Sequence, residues 1–421
     1  MLPLPRHVYI HVPFCARRCS YCDFAIAVRR STPVAEYLAA LDAELAAWLA
    51  RGGELGTPRG ARSTEAAGTL AGRTSGDTRT DSHSPAGGAP LPVDHGHAPW
   101  EISTLYLGGG TPSRLGADGV AAVMDLVRSR AAITFDAEIT IEVNPDDASP
   151  AAARAWREAG ITRVSIGAQS FDDDVLRWMH RTHDARQIAA AVDTLRQAGL
   201  ANLSLDLIFA LPNGVERDWD RDLHQAIALE PSHLSLYGLT IEPFTPLGRR
   251  RDRGLLAEAP EERYEREFLR AHDVASAAGF EHYEVSNFAR SGNRSRHNSS
   301  YWQRVPYAGL GPSAHSFDGT RRGWNASGYV EWCRLLAEGR SAVAGVEDVG
   351  EAERHLEEAY LGLRTDRGLH ITPERHAEIA PWLAAGWARL DGSRLTLTPA
   401  GWLRLDSLAG ALTEHGSRLY V

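Results

Sequence analysis

From about residue 8 to residue 285, short runs of alternating apolar and polar residues are separated by longer runs with an apolar residue every three or four positions. A period of two marks a strand and a period of about 3.6 marks a helix. The pattern predicts strands over 8–12, 102–107, 138–143, 162–167, 202–208 and 233–237. It predicts helices over 33–50, 117–130, 150–159, 184–198, 216–229 and 260–278. In the first helix Val34, Leu38, Leu41, Leu45 and Trp48 form one stripe, with Thr32 as N-cap and Pro33 at the first helical position. Repeated strand–helix units point to an α/β fold with a parallel sheet, open or closed into a barrel.

Strands buried on both faces are usually apolar throughout. Here Glu138, Thr140 and Glu142 alternate with Ile139, Ile141 and Val143, and Ser204 and Asp206 alternate with Leu203, Leu205 and Leu207. Arg163, Ser165, Gly167 and Gln169, and likewise His233, Ser235 and Tyr237, repeat the pattern. The apolar set can pack on helices while the polar set lines the lumen of a partial barrel of six strands. An antiparallel sheet with one wet face is the alternative, and the intervening helices disfavour it.

Residues 51–99 are rich in Gly, Ala, Ser, Thr, Pro and Arg and nearly devoid of large apolar side chains. Such a stretch buries too little surface to offset its ordering entropy, so a disordered insertion is expected there. His83, His95 and His97 within it are expected to be solvated. The divisions expected are 1–50 with 100–285 as the barrel, 286–350 as a further segment, and 351–421 as a small C-terminal domain. In that tail, helices over 351–361 and 373–385 precede a hairpin of 387–390 and 394–397 joined by Asp391-Gly-Ser393, and a last helix starts at Thr398. This resembles a winged-helix-like α+β domain. It has no basic recognition helix, which favours docking or covering over DNA binding.

The chain has 421 residues and a formal net charge of −9. No long basic block is present, so general nucleic-acid binding has no electrostatic support. No apolar stretch approaches the roughly 20 residues that span a bilayer. The stretch from Met1 to Arg6 is too short for a signal peptide, and a cytoplasmic location is expected.

Three of only four cysteines fall within Cys15-Ala-Arg-Arg-Cys19-Ser-Tyr-Cys22. Three thiolates can hold three irons of a [4Fe–4S] cube and leave the fourth iron open to a small molecule. A Cys3His zinc site using His7 or His11 is the alternative, and a disulfide frame is weaker still. Cys333 lies in a helical pattern and reads as a small buried hydrophobe. The loop Leu107-Gly-Gly-Gly-Thr-Pro112 follows a strand and allows close approach of a ligand, although alone it could be a plain turn. Glu142, Gln169 and Asp206 lie near the carboxyl ends of their strands, where barrel sites are assembled. Asp206 could accept hydrogen bonds from ribose hydroxyls, Glu142 could pair with an ammonium, and Arg181 could clamp a carboxylate. Singly, each could equally be structural.

Together these residues resemble the radical S-adenosylmethionine (SAM) superfamily, with Tyr21 as the aromatic before the last cysteine. Tyr9-Ile-His-Val-Pro-Phe-Cys15, Gly108-Gly-Gly-Thr-Pro112, Ile141-Glu-Val-Asn-Pro145, Ser165-Ile-Gly-Ala-Gln-Ser-Phe171 and Asp206-Leu-Ile-Phe-Ala-Leu-Pro212 are similar to the oxygen-independent coproporphyrinogen III oxidase group. The resemblance implies a partial (β/α)6 TIM-like barrel, a [4Fe–4S] cluster held by Cys15, Cys19 and Cys22, and SAM on the free iron. It implies SAM contacts at Tyr9, Tyr21, Gly109, Gly110, Thr111, Glu142, Gln169, Arg181 and Asp206. Phe24 stands where the oxidases carry a fourth cysteine, and their longer N-terminal region is lacking ahead of Cys15.

His297-Asn-Ser-Ser-Tyr-Trp302 resembles the HNxxYW element of the HemW heme chaperones. A neutral imidazole is a good iron ligand, and Tyr301 and Trp302 offer flat surface to a porphyrin. His297, Asn298, Tyr301 and Trp302 are thus candidate heme contacts, with His315 of the following Tyr307-Ala-Gly-Leu-Gly-Pro-Ser-Ala-His315 as a second histidine. The implied function is a heme carrier with a SAM-bound cluster that passes heme to an acceptor protein and draws on an electron donor, with membrane contact only through the acceptor. The alternative is a radical enzyme that decarboxylates coproporphyrinogen III to protoporphyrinogen IX.

Overall fold

The computed structural model describes residues 4–56 and 100–413. Six strands follow in order with helices between them. They are β1 (His7–Val12), α1 (Val34–Ala50), β2 (Glu101–Gly109), α2 (Gly116–Arg130), β3 (Ala132–Val143), α3 (Pro150–Glu158), β4 (Arg163–Gln169), α4 (Asp173–Trp178), α5 (Ala185–Gln197), β5 (Leu203–Phe209), α6 (Trp219–Ala228) and β6 (His233–Gly238). Next come α7 (Pro246–Asp252) and α8 (Glu261–Ala277). Each of the six strands pairs in parallel with the next, so chain order equals sheet order. This is the expected α/β class with the topology of a (β/α)6 half-barrel.

The period-two reading explains the layers. Val8, Ile10, Ile139, Ile141, Val164, Ile166, Leu203 and Leu205 are buried in one core with α1, α2, α3 and α5. On the other face Thr104, Thr140, Arg163, Ser165, Ser204, His233 and Ser235 are also buried, which rules out the sheet with one wet face. Thr32 does not cap α1. Pro33 takes the cap position, and the Thr32 hydroxyl donates to the Arg114 carbonyl at 3.0 Å. β3 begins six residues before its predicted start, at Ala132.

The segment after residue 280 extends the sheet at both ends. β7 (Glu281–Glu284) and β8 (Asn287–Ala289) continue it beyond β6. After α9 (Arg296–Trp302), strand β9 (Tyr307–Leu310) adds in parallel to β1, and β10 (His315–Phe317), β11 (Arg321–Asn325) and β12 (Val343–Asp348) follow antiparallel around α10 (Tyr329–Ala337). The order is β12-β11-β10-β9-β1-β2-β3-β4-β5-β6-β8-β7, an open arc of twelve strands among the described residues.

The tail comprises α11 (Glu351–Arg364), β13 (Leu369–His370), α12 (His376–Ala384), β14 (Ala388–Asp391), β15 (Arg394–Leu397), α13 (Pro399–Trp402) and α14 (Leu405–Ala411). The last predicted helix begins one residue on, at Pro399, and Thr398 caps it by accepting from Gly401 N–H at 3.2 Å. The tail docks on the barrel edge through Arg364–Glu284 at 2.8 Å, and the His282 and Trp402 rings lie 4.4 Å apart. Of the predicted insertion, residues 51–56 are described, and Leu55 packs against the core. Residues 57–99, with His83, His95 and His97, lie outside the described residues. No helix among the described residues is long and apolar enough to cross a membrane.

Candidate functional site

The cysteine loop leaves the carboxyl end of β1. A two-residue parallel pairing of Phe14–Cys15 with Ala27–Val28 pins its base, with Ala27 N–H donating to Pro13 O at 2.7 Å. All three cysteines are free thiols, partly exposed, and line one cavity of about 420 Å³. Thr111 Oγ1 lies 3.4 Å from Cys15 Sγ, and Arg181 Nη1 donates to Cys19 Sγ at 3.4 Å. Burial pushes the Cys22 thiol up to about 11, with Cys19 and Cys15 adding to the effect. Among the described residues no three His, Cys, Asp or Glu side chains converge as a single-ion site requires. Thiols spread around one cavity suit a cube, in which each iron takes its own sulfur, better than a four-ligand zinc site.

The glycine loop forms a second wall. Gly109 has φ +111°, and a Cβ there would fall 2.5 Å from the His11 ring. A Cβ on Gly110 would fall 2.7 Å from the Pro13 carbonyl. Only glycine lets this backbone lie so close to the cysteine loop. Gly109 N–H donates to Glu142 Oε2 at 3.0 Å, and the Tyr106 hydroxyl donates to Oε1 at 2.9 Å. Burial nevertheless lifts the Glu142 carboxyl to about 7, with Asp206 adding to the rise. Asp206 is likewise raised by burial, against hydrogen bonds from Ser235 and Ser165. Two such carboxylates in one lumen favour a cationic ligand, whose charge would hold both ionised.

Gln169 sits at a register shift between β4 and β5 with φ +66°, a backbone state uncommon for a side-chain-bearing residue. Such strain clusters where a site needs it. Arg181 Nη2 donates to Asn144 Oδ1 at 2.7 Å and to the Gly167 carbonyl at 2.9 Å. It thereby ties the cysteine loop to the ends of β3 and β4.

The predicted SAM set therefore converges. Tyr21, Gly109, Gly110, Thr111, Glu142, Gln169, Arg181 and Asp206 line the cavity that holds the three cysteines, and Asn298 joins them. The donor set and the glycine cradle fit a cluster with an amino-acid-bearing nucleoside. Tyr9 instead faces the adjoining larger cavity, its hydroxyl 3.1 Å from His11 Nδ1. Tyr106, Asn144, Arg163 and Ser165 also line the smaller cavity and were not singled out as site residues. Period two had placed Arg163 and Ser165 on the lumen face, and that signal could have found them.

The larger cavity, about 930 Å³, opens between the barrel mouth and the tail. Glu142, Gly109, Asp23 and Phe24 border both cavities. Phe24 is 58% exposed, an apolar ring at the boundary of the two cavities. Tyr301, Trp302, Tyr307 and Phe317 supply aromatic wall, and Leu356, Tyr360 and Leu361 of α11 close the far side. His297 lines neither cavity. It is 1% exposed, with Nδ1 2.7 Å from Thr104 Oγ1 and Nε2 2.7 Å from the Tyr301 hydroxyl. Burial, then the charges of His7 and Arg163, lowers it to about 3. His315 does line the larger cavity.

The profile of the radical SAM superfamily matches residues 93–226. The chain is 35% identical over 375 residues to the heme chaperone HemW of Synechocystis, covering 87% of this chain and 79% of that one. It is 34% identical over 404 residues to the heme chaperone HemW of Mycobacterium tuberculosis, covering 94% and 91%. Among solved structures it is similar to coproporphyrinogen III oxidase from Escherichia coli, with TM-score 0.74 and 20% identity, covering 98% of this chain and 91% of that one. That last likeness is one of fold.

Proposed function

The chain belongs to the radical SAM superfamily, in the group of HemW heme chaperones, and from this premise we propose that it carries heme in the larger cavity and delivers it to an acceptor protein. The observation that carries this reading is the aromatic-walled cavity of about 930 Å³ beside the cysteine loop, within the roughly 300–1,000 Å³ of ligand sites. Trp302 and Tyr301 would offer ring faces to the porphyrin, and α11 would cover it. The tail then acts as a cover, which suits a carrier that must later release its load.

Cys15, Cys19 and Cys22 would hold a [4Fe–4S] cluster, with Glu142 pairing with the ammonium of SAM and Asp206 accepting from its ribose. Bound there, the pair supplies one-electron reducing chemistry. The chain's own residues would hold the loop through Arg181 and Thr111. An electron donor would approach the outer side of the cysteine loop. Arg17, Arg18, Arg29 and Arg30 are exposed there, and α7 brings Arg249 and Arg250 close through Leu247 N–H donating to Ser20 O at 2.9 Å. On a chain of net charge −9 this basic rim favours an acidic partner.

Anaerobic reconstitution followed by heme titration tests the proposal, with 5′-deoxyadenosine and protoporphyrinogen measured in the same tube. Stoichiometric heme uptake without conversion of added coproporphyrinogen III is expected. Iron–sulfur absorption should vanish when Cys15, Cys19 and Cys22 are all replaced by alanine. Protoporphyrinogen formation would instead establish the oxidase.

A further inference from the structure

We infer that His315 is the protein ligand to heme iron in the larger cavity, with Arg304 receiving a propionate. The inference rests on the heme-carrier reading above and deepens it. Three histidines lie in or beside this cavity, and iron ligation needs a ring nitrogen with a free lone pair. His11 has none. Its Nε2–H donates to Ala25 O at 2.9 Å, and Nδ1 faces the Tyr9 hydroxyl at 3.1 Å. His297 has both nitrogens engaged and is fully buried behind the wall. Ligation there would break a buried hydrogen bond and require Tyr301 to swing away. His315 has an exposed ring on the cavity, and among the described residues neither of its nitrogens has a hydrogen-bond partner.

The position of His315 is built rather than incidental. β10 crosses β9 so tightly that a Cβ on Gly309 would fall 1.9 Å from the His315 carbonyl. On the other side His315 pairs with Trp324 of β11, their rings stacked at 6.1 Å. Burial and the Arg322 charge lower its pKa, which favours the neutral ring.

The same cavity holds two buried donors without partners, Nε1 of Trp302 and Nη2 of Arg304. Arg304 is held by Nε donating to Glu357 at 2.9 Å, and Arg322 also donates to Glu357, at 2.7 Å. Arg304 Nη1 also donates to Glu358 at 3.4 Å, and Nη2 stays a buried charged donor that a carboxylate reaching the wall would satisfy. A flat apolar ligand with a metal centre and carboxylate arms satisfies the histidine, the aromatic walls and this donor together.

The test uses the full chain loaded with ferric heme and read by optical absorption and electron paramagnetic resonance. His315→Ala should lose the histidine-ligated signature and bind about tenfold or more weakly. Added imidazole should restore the signature, and His315→Cys should give a thiolate signature. His297→Ala should keep the wild-type signature. An unchanged signature and affinity in His315→Ala, with wild-type protein binding heme, overturns this assignment alone, as does loss of the signature in His297→Ala. A wild-type chain that takes up no heme overturns the carrier reading and this inference with it.

Discussion

Tyr301 lines the larger cavity while His297 lies behind it, the Tyr301 hydroxyl 2.7 Å from His297 Nε2. The histidine of the HNxxYW element therefore props the tyrosine. Tyr301→Phe should leave a buried ring nitrogen unsatisfied and cost about 1–3 kcal/mol, read by urea denaturation. His297→Ala should weaken heme binding through displacement of Tyr301 and Trp302. A variant with full stability and unchanged affinity would remove the propping role.

Acid should destabilise the fold in two stages. Burial lowers His297 and His282 to about 3 and His183 to about 4, from an ordinary 6.5. The unfolded chain takes up these protons first, so their contribution is whole above 6.5 and is lost as pH falls. Burial raises Glu44 and Glu142 to about 7 from 4.5, so theirs is whole below 4.5 and is lost as pH rises through 7. The two glutamates partly offset the histidines between 4.5 and 6.5, and below 4.5 that offset is gone. Tm against pH should show a shallow slope and then a steep one. In Glu44→Gln the fall should begin near 6.5, because one opposing group is gone.

The tail is anchored by a buried ion pair. Glu284 is 0% exposed and meets Arg364 of α11 at 2.8 Å. Arg364→Met should strand that carboxylate and cost about 3–5 kcal/mol. Chemical denaturation measures the loss, and limited proteolysis should find the tail cut first. Glu284→Gln combined with Arg364→Met should recover much of it, since no uncompensated charge is left.

Reduction of the reconstituted cluster by an acidic protein donor should slow with rising salt, as expected for charge steering. Arg29→Glu with Arg30→Glu should slow it further while leaving reduction by dithionite unchanged. Equal rates with the protein donor in both forms would remove the basic rim from the docking surface.

Much of the site was legible because its signals are local. Cysteine spacing, the triple glycine and the period-two strands depend on neighbours in sequence, and the family resemblance built on them pointed to the three cysteines and to eight further residues that line one cavity. The role of His297 was not legible. Its backbone N–H donates to Glu138 Oε1 at 2.9 Å, and that of Arg296 donates to Oε2 at 3.0 Å, across more than 150 residues of chain. A carboxylate that read only as a lumen polar residue thus holds α9 inward and turns its histidine away from the cavity. Tyr9 went to the larger cavity for a related reason. Period two assigns it a face, and the neighbouring β9 and β10 decide what that face borders.

The sequence by itself determined the strand–helix order, the polar face of the sheet and the thiol-bearing loop, since each follows from backbone periodicity and short-range spacing. Tertiary structure alone decided that β9 to β12 extend the sheet beyond β1, that α11 closes a second cavity, and which of three histidines keeps its nitrogens free. Those outcomes rest on contacts between segments remote in sequence, where packing and hydrogen-bond satisfaction choose among partners that local pattern leaves equal.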